Sequence, residues 1–180
     1  MSLFFESPHF LDIEPIEGAV ESIFLLSKYF DLQIVTSRSF DIEDKTKVWV
    51  QKYFGNMFSA IHFGNHYGAY GEKRSKPQMC ADIHALLLVD DSSIYAKQCA
   101  ESSIPVVLFG HYAWNQWTKG EEERLSSDVT IARFIQRVSG WKEAISVVAD
   151  ILKQRYELVL DDNRLQSCSR FLEDHSALPM

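Results

Sequence analysis

The stretch ALLLVDDSS, residues 85–93, decides the fold and raises the question of function. Its first five residues are small or aliphatic and run directly into Asp90 and Asp91, which two serines follow. An apolar run without period-two alternation is typical of a strand covered on both faces, as in a parallel sheet. Adjacent carboxylates at the end of such a strand resist ionising together, because like charges repel in a partly desolvated place. The pattern therefore predicts a strand of a parallel sheet. At its carboxyl end, a neighbouring group or a bound ion is expected to offset the repulsion between the two carboxylates.

Strand and helix patterns alternate on both sides of this stretch. Asp41 is predicted to cap one of the helices and Gly55 to stop it. Repeated strand–helix units of this length favour an α/β doubly wound fold, in which ligands bind beyond the carboxyl ends of the strands. Further strands are predicted in 31–37, 58–65 and 104–110, a short edge strand and turn in 129–141, and helices in 15–30, 41–55, 75–84, 93–103 and 141–157.

Composition predicts one globular domain in the cytoplasm. A chain of 180 residues with 46% hydrophobic content can bury one core, expected over residues 1–157 with a tail at 158–180. The net charge of −7 argues against a nucleic-acid polymer or a membrane surface as partner. No secretory signal or long apolar run is visible. Cys80, Cys99 and Cys168 lack metal-ligand spacing and are interpreted as isolated thiols in a reducing cytosol.

Two groups of residues suit the binding of phosphate. Thr36, Ser37 and Arg38 follow a predicted strand, where hydroxyl and backbone N–H groups suit an anionic oxygen; an ST-turn or helix cap is the alternative. Lys76 lies between a Gly-rich loop and a helix start. A lysine there is a point charge suited to phosphate, and a solvated lysine is the alternative.

The carboxylates of Asp90 and Asp91 are candidate ligands for a metal ion. Mg²⁺ prefers carboxylates, waters and the phosphate oxygens of a substrate, so the pair suits this ion. A turn or a helix N-cap is the alternative reading. The histidines show no ligand spacing and are interpreted as structural or rim residues, namely His62, His66, His84 and His111.

The order of these features resembles the second, third and fourth motifs of the haloacid dehalogenase-like superfamily, and in particular its small 5′-nucleotidase-like branch. The resemblance spans residues 8 to 145. It implies a Rossmann-like three-layer sandwich with a mainly parallel sheet, and Mg²⁺-dependent hydrolysis of a phosphorylated small molecule, with nucleotides among the candidates. The segments that carry it are PIEGAVESIFLLSKYFDLQIVTSRS, IHFGN, GEKRSKPQMCADIHALLLVDDSSIYAKQCAESSIPVVLFGHYAWN and SGWKEAI.

The resemblance also implies roles for individual residues. The Thr36 hydroxyl resembles the group that binds the phosphate, and Lys76 resembles the lysine that clamps it, with Lys73 as a weaker rival. The segment HYAWN resembles the family's loop after the last strand. The expected site comprises the catalytic residues Thr36 and Lys76, the phosphate-binding residues Thr36, Ser37, Arg38 and Lys76, and the Mg²⁺ ligands Asp90 and Asp91.

One motif of the superfamily is not visible. Its enzymes carry an aspartate nucleophile and a second aspartate in a DxDx(T/V) motif at the end of the first, central strand, and the nucleophile forms an aspartyl-phosphate. Asp12 and Glu14 imitate the spacing, but no apolar strand precedes them. The central strand is therefore expected to be missing between the strands that end at Thr36 and Asp90, which leaves two strand edges without a partner.

Three explanations of this gap stay open. The sequence is a truncated product of an ordinary phosphatase, or it is a short form that binds phosphate or a nucleotide without hydrolysis, as a regulatory pseudo-phosphatase does. In the third, another strand fills the gap. A second copy would supply that strand in a homodimer, or YELVLDDNRL, residues 156–165, would supply it in a permuted order that places Asp161 near Asp90. A helix end followed by a polar turn is the simpler reading of that segment.

Overall fold

The computed structural model describes residues 7–121, 123 and 129–157. These residues divide into two compact units, one that ends at Ser75 and one that begins at Lys76. Both units are α/β, with short strands that pair in parallel. The predicted boundary between core and tail stays a prediction, because residues 158–180 lie outside the described ranges.

The first unit contains strands β1 (Gln33–Thr36) and β2 (Ala60–Phe63), paired from Gln33 opposite Ala60 to Thr36 opposite Phe63. Helices α1 (Ala19–Leu26) and α2 (Glu43–Phe54) contact each other. Short 3-10 turns cover Pro8–Phe10 and Phe40–Ile42.

The predicted helix cap at Asp41 and the predicted helix stop at Gly55 can be compared with the ends of α2. Gly55 follows its last residue with a φ of +55°, which a glycine adopts without strain, so the predicted stop is confirmed. The predicted cap at Asp41 is wrong. A 3-10 turn over Phe40–Ile42 precedes the helix, and Ile42 is therefore the residue at its N-cap position.

The second unit is a three-stranded parallel sheet in the order β3–β4–β5. All four residues of the central strand β4 are buried, and helices α4 and α6 both contact it. The prediction of a covered parallel strand in residues 104–110 is thus confirmed. The strands are β3 (Leu88–Asp90), β4 (Val106–Phe109) and β5 (Ile135–Val138), and the helices are α3 (Lys76–Asp82), α4 (Ser93–Glu101), α5 (Val129–Ala132) and α6 (Trp141–Tyr156), with a 3-10 turn at Ala113–Asn115.

Two predictions in this unit need correction. Strand β3 is shorter than the apolar run 85–89, because a turn follows α3, with His84 in a left-handed conformation, and the strand begins only at Leu88. Leu86 in this return is exposed, and its carbonyl accepts a hydrogen bond from the Tyr156 hydroxyl at 2.7 Å. The segment 129–141 does form an edge strand, β5, but its first residues form the short helix α5.

The proposed missing strand stays a prediction. Among the described strands, β1 pairs only with β2 and β3 only with β4. Asp12 and Glu14 are exposed and lie outside any helix or strand, and Asp12 pairs with Lys52 at 3.3 Å. Tyr156 ends helix α6, and residues 158–165, with Asp161, lie outside the described part of the chain.

No helix in the described ranges combines the length and apolar character needed to cross a membrane.

Candidate functional site

Lys76 and Asp90 form a buried ion pair at the carboxyl edge of the three-stranded sheet. Lys76 is the first residue of α3, and Asp90 is the last residue of β3. Their exposed fractions are 7% and 8%, and Lys76 Nζ donates to Asp90 Oδ2. The other oxygen, Asp90 Oδ1, accepts the Ser92 backbone N–H at 2.9 Å. Lys76 is therefore not a solvated lysine. Lys73, the less favoured candidate for the phosphate-binding lysine, is exposed.

The surroundings explain why a buried ammonium is tolerated here. Removing a charge from water costs free energy unless the charge is paired and hydrogen-bonded. Besides the Asp90 carboxylate, the Tyr95 ring lies 4.7 Å from Lys76 Nζ, within the range of a cation–π contact. The ammonium is thus held in place by two partners, the Asp90 carboxylate and the Tyr95 ring.

Asp91 takes a different partner from its neighbour. Its side chain is exposed, and Oδ2 accepts a hydrogen bond from the Trp114 indole Nε1 at 3.2 Å. Ser92, and not an aspartate, caps α4, because Ser92 Oγ accepts the Tyr95 N–H at 3.4 Å. The repulsion between the two carboxylates is therefore offset by an ammonium on one and by water and an indole N–H on the other.

The chemistry of the two carboxylates fits part of a Mg²⁺ site. A carboxylate offers about four lone-pair positions, so Asp90 has positions left after its bonds to Lys76 and Ser92. Mg²⁺ is commonly held by one or two carboxylates, with waters and phosphate oxygens as its other ligands. No group of three or more His, Cys, Asp and Glu side chains suited to a metal occurs in the described residues, so Asp90 and Asp91 would need such additional ligands.

In the first unit, Thr36, Ser37 and Arg38 form a turn at the end of β1. Thr36 Oγ1 accepts the Arg38 N–H at 3.3 Å, as the ST-turn alternative predicts. Backbone bonds tie the turn to the chain after β2, because the carbonyls of all three residues accept N–H groups at 2.7–3.1 Å. The donors are Gly64, Asn65 and His66.

Arg38 is the most promising anion-binding group of this turn. Its half-buried guanidinium donates to Thr46 Oγ1 at 3.1 Å and lies 5.1 Å from the centre of the Phe10 ring. Burial lowers the pKa of Arg38, and no carboxylate in the described ranges pairs with it. A desolvated cation with only a neutral hydroxyl and a ring beside it is an unsatisfied charge, to which an anion would bind favourably.

Asn65, which was not predicted as a functional residue, organises the loop after β2. It is buried in a left-handed conformation with a φ of +53°. Its Nδ2 donates to the carbonyls of Tyr70 at 2.7 Å and Glu72 at 3.4 Å, and its Oδ1 accepts the Phe40 N–H at 3.3 Å. The available signal was the Gly-Asn pair directly after a strand, since asparagine tolerates this conformation better than most residues.

Cys80 and Cys99 are not isolated thiols, which corrects the interpretation from sequence. Both are buried, Cys80 on α3 and Cys99 on α4. A hydrogen bond between them lowers the pKa of Cys80, to which the Lys76 charge also contributes, and raises the pKa of Cys99. Cys168 lies outside the described residues.

The four histidines have structural or peripheral positions. His62 shares a hydrogen bond of 2.7 Å with Gln33, and His66 Nε2 lies 2.8 Å from the Arg74 carbonyl. His84 lies in the turn after α3, and His111 is exposed after β4.

Within one unit, therefore, the structure brings together Lys76, Asp90 and Asp91, and within the other Thr36, Ser37 and Arg38. Comparisons with protein-family models, with curated proteins and with solved structures gave no match to this chain.

Proposed function

We propose that this chain is a haloacid dehalogenase-like protein that binds a phosphorylated small molecule together with Mg²⁺, in a site of the kind that hydrolyses phosphomonoesters. The observation that carries the proposal is the buried Lys76–Asp90 pair at the carboxyl end of β3. Ligands of open parallel sheets bind beyond the carboxyl ends of the strands. A lysine is rarely buried even when it is paired, and an ammonium fixed at this edge is suited to the binding of phosphate.

The proposed roles follow from the chemistry of each group. Lys76 supplies a fixed positive charge for the phosphate, and Asp90 positions this ammonium. Asp90 and Asp91 would hold Mg²⁺, which when bound offsets the negative charge of phosphate and carboxylates. We also propose, as the resemblance implies, that the turn after β1 binds the phosphate through the hydroxyl and guanidinium groups of Thr36, Ser37 and Arg38. The fold proposed with this function is a three-layer sandwich whose central strand is absent.

Binding without turnover is the second candidate function. It is favoured by the position of Asp12 and Glu14, which are exposed outside any strand, with Asp12 engaged by Lys52. A nucleophilic carboxylate must face the phosphorus atom from a fixed position, and this pair offers none. On this candidate the site recognises a phosphate ester and holds it intact.

Calorimetry with inorganic phosphate and Mg²⁺ tests the binding proposal. We expect heat of binding for the parent chain and for Lys97→Ala, which changes a half-buried lysine of α4, and none for Lys76→Ala or Asp90→Asn. Circular dichroism checks that each variant is folded. Arg38→Met tests the turn after β1 without disturbing the ion pair, and we expect it to weaken binding. Absence of heat with the folded parent chain would overturn the proposal.

Release of phosphate from an aryl phosphate ester separates the two candidates. Mg²⁺-dependent release that Asp90→Asn abolishes identifies a phosphatase. Binding in the calorimeter without release above the Lys76→Ala background identifies the pseudo-phosphatase.

A further inference from the structure

The loop after β4 has a conformation fixed by a buried asparagine and an arginine. Asn115 is fully buried, and its Nδ2 donates to the carbonyls of Phe109 at 3.0 Å and Gly110 at 3.3 Å. Its Oδ1 accepts the Tyr112 N–H at 3.0 Å and Arg137 Nη1 at 2.9 Å. Arg137 also donates to the carbonyls of Gly110 at 2.8 Å and Asn115 at 2.7 Å. These bonds hold residues 110–115 rigidly at the carboxyl edge of the sheet.

Two aromatic rings on this rigid loop stack in parallel. The ring centroids of Tyr112 and Trp114 lie 4.5 Å apart with an interplanar angle of 8°. Gly110 makes room for the pair, because a Cβ at this glycine would lie 2.2 Å from Tyr112 Cε2. The edge of the indole is fixed as well, by its hydrogen bond to Asp91.

Trp114 nevertheless remains 68% exposed. Since Tyr112 covers one face of the indole, the exposed area lies chiefly on the other face. A large aromatic ring fixed on one face and at its edge, with the second face in water, is a preorganised stacking surface. Its hydrogen bond to a proposed Mg²⁺ ligand places this surface next to the phosphate site.

We infer that Trp114 selects phosphate esters that carry a planar aromatic ring, which stacks on the free face of its indole. This inference rests on the proposed function, because the phosphate must be held at Lys76 and Asp90. The shared chemistry is an aromatic ring joined to a phosphate group, as in a nucleoside monophosphate or an aryl phosphate. Stacking of one aromatic ring changes affinity by about 5- to 150-fold.

The test compares ligands that differ only in the ring. Adenosine monophosphate is paired with ribose 5-phosphate, and phenylphosphonate with methylphosphonate, each titrated calorimetrically into the full chain with Mg²⁺. We expect the ring-bearing member of at least one pair to bind about 5- to 150-fold more tightly. The pair with the larger ratio tells whether a nucleoside or an aryl ester is preferred.

Variants assign the ratio to Trp114. The ratio should fall to about one in Trp114→Ala, stay well above one in Trp114→Phe, and stay at the parent value in Phe24→Ala, which removes an exposed ring from α1. The two ligands of a pair carry the same phosphorus group. The ratio of their affinities therefore does not change if the loss of the bond to Asp91 alters the affinity for that group. Equal affinities within both pairs, with phosphate still bound, would overturn this inference and leave the proposed function intact. A folded chain that binds none of the four ligands would overturn both.

Discussion

Lys76 and Asp90, 14 positions apart in the chain, join the start of α3 to the end of β3 through one buried ion pair. A buried pair of this kind adds little net stability when intact, but the loss of one partner strands the other charge away from water. The pair therefore constrains both residues together, and its removal should have consequences for stability as well as for binding.

Lys76→Met should lower the free energy of unfolding by about 3–5 kcal/mol, because Asp90 is left buried without its cation. Urea denaturation measures the change. The double variant Lys76→Met/Asp90→Leu should recover much of the loss, since removing both charges is often close to neutral. The control is Lys97→Met, which breaks an exposed contact of 4.0 Å with Glu101 and should cost at most about 0.5 kcal/mol. Equal costs for Lys76→Met and Lys97→Met would contradict the prediction.

Arg38→Met should keep or raise the stability of the ligand-free chain while reducing its stabilisation by phosphate. The guanidinium is desolvated without a carboxylate partner among the described residues, so its removal relieves a cost. In the parent chain, phosphate at about ten times its Kd should add about 1.4 kcal/mol. Even with its lowered pKa the guanidinium stays charged near neutral pH, so this gain should not follow titration of Arg38.

Thermal melting with and without phosphate measures this gain. Lys47→Met is the matched control, because it removes an exposed cation of the same unit that already pairs with Glu43 at 2.6 Å. A full phosphate gain retained in Arg38→Met would show that this side chain does not bind the anion.

Gly110→Ala should destabilise the chain by about 2 kcal/mol or more. Its φ of +80° disfavours any residue with a Cβ, and the new atom would displace the Tyr112 ring. Gly140→Ala is the control, because that position has a φ of −170° and open space around its Cβ. Gly140 is the N-cap residue of α6, where alanine is less favourable than glycine, so the loss should stay within about 1 kcal/mol. Chemical denaturation compares the two, and similar midpoints would argue against a fixed loop.

Cys80 and Cys99 should resist alkylation in the native chain although the pKa of Cys80 is lowered. Burial excludes the reagent from both thiols, and access limits the rate before the fraction of thiolate does. In a Cys168→Ser background, mass spectrometry after iodoacetamide treatment should find both thiols unmodified at neutral pH and both modified in urea. Rapid labelling of Cys80 in the native state would show that α3 opens locally.

Much of the fold could be predicted from the apolar runs. The run before Gly110 forms the fully buried strand β4, and the amphipathic pattern of residues 141–157 forms α6. The run before Asp90 predicts too long a strand, because apolar character alone does not show that a turn with His84 in a left-handed conformation follows α3. Local chain reversal is decided by backbone geometry, which residue type reflects only weakly.

The charged residues of the candidate site could be predicted from the sequence, but the residues that contact them could not. The order of Lys76 and Asp90 along the chain suggested their role, and the structure adds that the two are buried against each other. The contacts of Asn115 with Arg137 and of Trp114 with Asp91 join positions 22 and 23 residues apart. Such pairs depend on where the strand ends lie in space, which no local pattern in a single sequence reports.

The stacked position of Trp114 also gives the molecule a built-in optical reporter. It is 68% exposed, while the other three tryptophans, Trp49, Trp117 and Trp141, are half-buried. Trp49 donates to the Ile13 carbonyl at 2.7 Å, and Trp141 lies 5.1 Å from the Phe109 ring. Its fluorescence is thus the most sensitive to solvent, and its N–H is bonded to a carboxylate that a divalent cation would engage. Arrival of the metal and of an aromatic ligand should therefore each change the emission of this indole, so that occupancy can be followed without a label.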